Sequence, residues 1–199
     1  MELNSKQKRQ RILLEIKDIL IGAAFPLMLQ LVLSASVIMF ADTNGEIEIQ
    51  AFALAMGEIM LIAAYVIFGR QNGISAYRKT VVSSKKREMQ SDDIKVYYKT
   101  GEYAIWKGIV IGALSTIPFI LFQFIQCLAH NTFCEFILKY AFGWATYPFI
   151  VFGVETDWLN FIWIIIPVGV HTLAYFWGGY RERKRQELLE KAQEIGKKK

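Results

Sequence analysis

Residues 69–102 read GRQNGISAYRKTVVSSKKREMQSDDIKVYYKTGE, a polar and basic stretch set between two strongly apolar halves. It carries Arg70, Arg78, Lys79, Lys85, Lys86, Arg87, Lys95 and Lys99 against Glu88, Asp92, Asp93 and Glu102, eight cations to four anions. Lys and Arg beside a membrane span resist translocation, so a connection of this kind stays on the cytoplasmic side and orients whatever flanks it.

The flanks read as membrane spans. Residues 19–41 and 158–180 are each 23 residues long without a formal charge, and a helix of ~20 apolar residues rising ~1.5 Å apiece crosses ~30 Å of hydrocarbon. A soluble chain of 199 residues would have to cover both segments on every side, which its surface-to-volume ratio opposes. The net charge of +5 is accounted for by cytoplasmic loops, and no nucleic-acid partner is expected. Cys127 and Cys134 are too few for a disulfide framework and show no metal-ligand spacing. Two ordinary thiols are the simpler reading, with a bridge across an outer turn as the alternative.

Outward from the central stretch the chain divides as follows. Residues 1–18 form a basic cytoplasmic N-terminus, 19–41 the first span, 42–48 an outer loop opened by the turn residues Asp42-Thr43-Asn44-Gly45, and 49–68 the second span. Small residues at Ser34-Ala35-Ser36 mimic a signal-peptide cleavage site, but the apolar run continues past them, which favours an uncleaved span. Within residues 69–102, Ile74, Tyr77 and Val81 recur at helical spacing and predict a helix along the inner headgroups. Ser91-Asp92-Asp93 offers caps to a second helix from near Ile94. Tyr97, Tyr98, Tyr103 and Trp106 make an interfacial aromatic belt, and Lys107 can extend its ammonium back to the inner surface. Residues 103–129 are the third span.

Within residues 130–157, Phe133 to Gly153 is the ambiguous segment. It is apolar enough to cross, yet holds Lys139, Gly143, Trp144, Tyr147 and Pro148 and is followed by Glu155 and Asp157. A crossing here would leave the tail, residues 181–199, outside with Arg181, Arg183, Lys184, Arg185 and four more lysines. Without it, 21 of the 23 Lys and Arg residues share the inner side. The expected fold is therefore an all-α integral membrane protein of four transmembrane helices plus an outer-leaflet re-entrant or interfacial segment, with five transmembrane helices as the alternative. Residues 158–180 are then the last span. The expected setting is a cell membrane, multi-pass, with both termini cytoplasmic.

Three polar side chains stand out by depth: Gln30, Glu58 and His171 fall near the middle of their spans. An ionisable residue at the bilayer centre costs ~2.5–3.5 kcal/mol on insertion scales and so faces the bundle interior with a partner. One reading places Glu58, aided by His171 and Gln30, in a proton or cation pathway. The plainer one has Glu58 protonated or hydrogen-bonded to His171, locking helices together. Gly108 and Gly112 form a GxxxG pair that lets another helix approach closely, within the chain or from a second copy.

An accessory or scaffold subunit of a membrane complex is the leading functional expectation, its basic loop and tail meeting anionic lipid headgroups, a membrane-protein partner or a second copy of the chain. The tail has Glu187 and Lys191 at helical spacing and a thin apolar stripe of Leu188, Ala192 and Ile195. A small transporter or channel is the alternative. An enzyme is a third class, since His130, Cys134, Glu135, Asp42, Glu46, Glu155 and Asp157 gather on the outer side. Their spacing matches no catalytic motif, and no cofactor or metal is expected.

Overall fold

The computed structural model describes residues 5–44, 47–89, 103–151, 153 and 157–197. These form α1 (Ser5–Asn44), α2 (Ile47–Met89), α3 (Ile105–Ala129), α4 (Thr132–Val151), a 3₁₀ segment (Asp157–Ile164) and α5 (Ile165–Lys197). The protein is all-α, and among the described residues four helical stretches are long and apolar enough to cross a membrane: Ile12–Phe40, Gln50–Val81, Ile105–Ala129 and Trp158–Gln193.

The distribution of side chains suits a lipid surround. Phe25, Met28, Val32, Phe52, Ile165 and Leu173 all face outward, while Gln30, Ser34, Ser115, Thr116, Gln123 and His171 are buried between helices. Apolar groups lose nothing against lipid tails, so polar groups go inward where they can hydrogen-bond.

Contacts fix the direction of each helix. α1 and α2 run antiparallel, pairing Asp18 with Lys79, Phe25 with Phe68 and Gln30 with Tyr65. α1 and α3 run parallel, since Glu15 meets Lys107 and Gly22 meets Ile111. α2 and α5 also run parallel, Gly69 lying against His171 and Arg78 against Glu182. α3 and α5 are antiparallel, with Gly108 on Tyr175 and Gly112 on Val168.

That last relation determines what α4 does. Had α4 crossed once between them, α3 and α5 would point the same way. Instead α4 doubles back on itself. Phe142 leaves helical geometry at φ −131°, ψ 25°, and the Thr146 hydroxyl reaches the Leu138 carbonyl at 3.4 Å, although residues eight apart in one straight helix lie ~12 Å apart. The tip packs Phe142 and Trp144 on Phe119. Phe119 lies ten residues before the end of α3 at Ala129, so the hairpin descends ~15 Å from that end. A turn at His130 and Asn131 starts it: His130 takes a left-handed φ of 44°, and the Asn131 side chain accepts from the Phe133 amide at 2.8 Å, a helix N-cap.

Two sequence expectations are corrected. The Ile74, Tyr77 and Val81 positions do not belong to a separate surface helix; α2 continues without a break to Met89, because no proline or glycine interrupts it after Gly73. The turn expected from Asp42 is instead helical through Asn44. The helix expected from Ile94 lies outside the described residues. Cys127 and Cys134 are thiols, not bridged to one another.

Candidate intramembrane polar site

The three polar residues chosen by depth occupy two sites. His171 of α5 is fully buried where α2, α3 and α5 meet. Its Nδ1 lies 3.1 Å from the Gly108 carbonyl oxygen, which can only accept, so Nδ1 carries the proton. Nε2 then accepts from the Asn72 amide nitrogen at 3.3 Å, and the same nitrogen reaches the Gly22 carbonyl on α1. Both ring nitrogens are used, and His171 joins all four long helices in its neutral form. Gly108 permits this approach: a Cβ there would lie 3.0 Å from the Tyr175 ring. Gly112 likewise faces Val168, so the GxxxG pair packs on α5 of the same chain.

Gln30 is engaged one turn further along the bundle. The Tyr65 hydroxyl lies 2.9 Å from Gln30 Oε1 and 3.1 Å from Ser115 Oγ, and Ser115 donates to the Gly112 carbonyl at 2.7 Å. The Tyr65 ring stands edge-on to His171 with centroids 6.4 Å apart, so the two groups are neighbours.

Glu58 stands apart from His171 and makes no hydrogen bond to it. Gly69, eleven residues further along α2, is the position that faces His171, an offset of ~16 Å. Glu58 sits at the level of the α4 tip, in a cavity of about 10 Å³ shared with Gln30, Ser34, Gly57 and Trp144. Both Glu58 oxygens, Gln30 Nε2 and Trp144 Nε1 are buried without a hydrogen-bond partner among the described residues. Unpaired buried polar groups cost ~1–3 kcal/mol each, so a cluster of four calls for an explanation.

At the opposite, basic end the helices are tied by ion pairs. Lys107, almost fully buried, meets Glu15 at 2.7 Å, and Lys79 meets Asp18 at 2.6 Å, over a cavity of about 70 Å³ that also touches Asn72 and Tyr175. Lys107 therefore turns to α1 rather than extending free to the surface. Past Tyr180, where the charge-free run of α5 ends, Arg78 holds Glu182 at 2.8 Å, and this hydrogen bond keeps the Glu182 carboxyl below its ordinary range.

Of the residues expected on the outer side and considered for catalysis, His130 serves the α3–α4 turn, Cys134 is buried and Glu135 is exposed. No group of three metal-ligating side chains occurs among the described residues. No motif in the sequence marked Tyr65, Asn72, Ser115 or Trp144 as a site residue. Glu58, Tyr65, Asn72 and Lys79 recur every seven residues and so share one face of α2, a signal that could have revealed two of them.

Comparison with protein families, with curated proteins and with solved structures finds no match to this chain. The fold and its buried polar groups define the class: an all-α polytopic membrane protein of four long apolar helices.

Proposed function

We propose that the chain is a non-enzymatic accessory subunit, seated in a cell membrane with its basic end cytoplasmic, that presents the tail of α5 to a partner. The observation that carries this reading is the way α2 and α5 leave the apolar region together. They pack at glycine contact, Gly73 against the Tyr175 backbone and Gly178 against the Arg70 backbone, and the Arg78–Glu182 pair closes the exit. The tail is thus held at a set angle rather than hinged, and it exposes Leu188, Leu189 and Ile195 among its charges. Residues 181–199 carry eight cations against four anions, which also suits an anionic membrane surface or an acidic partner, each cation near such a surface contributing ~1 kcal/mol. Co-purification from mild detergent, with and without residues 181–199, tests it. Loss of a companion on truncation is the expected result, and an identical set of companions contradicts it.

A second reading, a small transporter or channel with Glu58 and His171 in a proton or cation pathway, is favoured by the unpartnered Glu58 carboxyl. Because both His171 nitrogens are engaged, the weight of that reading falls on Glu58. Flux into proteoliposomes, compared between the unaltered chain and Glu58→Gln, tests it; equal flux removes Glu58 from any pathway.

A further inference from the structure

With Gln30 Oε1 turned to Tyr65, the row of contacts leading to the Glu58 cavity contains too few protons. Gln30 Oε1 to Tyr65 Oη, Tyr65 Oη to Ser115 Oγ, and Ser115 Oγ to the Gly112 carbonyl are three hydrogen-bond contacts, at 2.9, 3.1 and 2.7 Å. The carbonyl and the amide oxygen can only accept, and the two hydroxyls supply one proton each, so one contact goes without. Turning the Gln30 amide over exchanges its oxygen and nitrogen without moving another atom. Gln30 then donates to Tyr65, Tyr65 to Ser115 and Ser115 to Gly112, one proton for each contact. The same rotation removes the orphaned Gln30 nitrogen and aims the amide oxygen into the cavity.

The cavity then faces the Gln30 oxygen, the two Glu58 oxygens and Ser34 Oγ as acceptors and Trp144 Nε1 as a single donor, with Gly57 and the α4 tip closing it. Its lining includes no Lys, Arg or His, so nothing there balances an ionised carboxyl, and a bare buried charge is too costly to persist: Glu58 either keeps its proton or takes up a cation. Its volume, about 10 Å³, is near the lower limit for a single water-sized occupant. One carboxylate matches one positive charge, and hard oxygen ligands suit a small alkali cation.

We propose that Glu58, Gln30 and Ser34, beneath the α4 tip, bind one dehydrated monovalent cation of Na+ size. This deepens the transporter reading, but it holds equally for an ion that stays in place and locks α1 to α2. The test is thermal unfolding of the full chain in detergent at pH 8, with NaCl replaced by choline chloride at constant ionic strength. Na+ at a hundredfold excess over Kd is expected to raise Tm by about 5–10 °C, and Glu58→Gln, close in shape but uncharged, is expected to abolish the rise. Equal Tm in the two salts, or a rise retained in Glu58→Gln, overturns the proposal. Equilibrium binding of radiolabelled Na+ to the unaltered chain gives a readout independent of any variant, one ion per chain being expected and none overturning the site. Binding without flux in proteoliposomes would remove the transport reading and leave the site standing.

Discussion

Replacing Gly178 by alanine tests the close backbone approach of α2 and α5. A Cβ at Gly178 would fall on the backbone carbonyl of Arg70, and one at Gly73 on the carbonyl of Tyr175. Backbone cannot rotate aside as a side-chain tip can, so α2 and α5 must part to restore ordinary contact, loosening the apolar surface between them. Overpacking of this kind costs ~1–3 kcal/mol per site, and at ~2–4 °C per kcal/mol for a chain of this size Tm falls by ~2–12 °C. Gly169 supplies the control on the same helix, since a Cβ there has nothing within 4 Å. Gly169→Ala removes only the helix-interior glycine penalty of ~0.5–1 kcal/mol and raises Tm by ~1–4 °C. Tryptophan fluorescence during heating in mild detergent reads all of these. A Gly178→Ala protein that melts with the unaltered chain, or a Gly169→Ala protein that falls as far, would refute the parallel glycine-packed pairing of α2 and α5.

Tyr65→Phe deletes the hydroxyl between Gln30 and Ser115, both fully buried. It should destabilise by ~1–3 kcal/mol with secondary structure unchanged by circular dichroism, and an unaltered Tm would mean that the row is not formed. The Arg78–Glu182 pair should respond to acid. Because the folded-state carboxyl is held below its ordinary value of 4.5, its contribution is complete above that value and is lost as pH falls through the lower folded one. Thermal stability measured from neutral pH downward should decline less in Glu182→Gln than in the unaltered chain, and equal slopes would assign the acid response to other carboxyls.

Much of the architecture was legible because lipid imposes a coarse rule. The charge-free blocks at 19–41 and 158–180 and the one-sided placement of Lys and Arg are long-range features that survive errors of several residues. The same charge asymmetry argued that residues 130–157 make no net crossing, and the opposed directions of α3 and α5 agree. Helix ends were less legible. Residues 74–89 are as compatible with a solvated helix as with a surface one, and it is their partners Asp18, Tyr103 and Glu182 that show α2 running straight on.

Within the site, depth alone grouped Glu58 with His171, but depth counted along one chain does not give the offset between two packed helices. Gly69 and not Glu58 lies beside His171, so the expected pair is separated. Gln30 is buried, yet its partner Tyr65 has a side chain that lipid interfaces also favour, and nothing local marks it as interior except the seven-residue recurrence on α2. Trp144 reaches the cavity only because α4 turns back at Phe142, a geometry no periodicity announces.

The opposed directions of α3 and α5 mean that α4 makes no net crossing between them, and from this both ends of the chain are expected on one side of the membrane. Epitope tags at the two termini, with a third inserted at Gly153 in the exposed turn after α4, measure this directly when probed in intact and permeabilised cells. The Gly153 tag should be reached in intact cells and both terminal tags only after permeabilisation. One terminal tag reached from outside while the other stays protected would contradict the four-crossing arrangement.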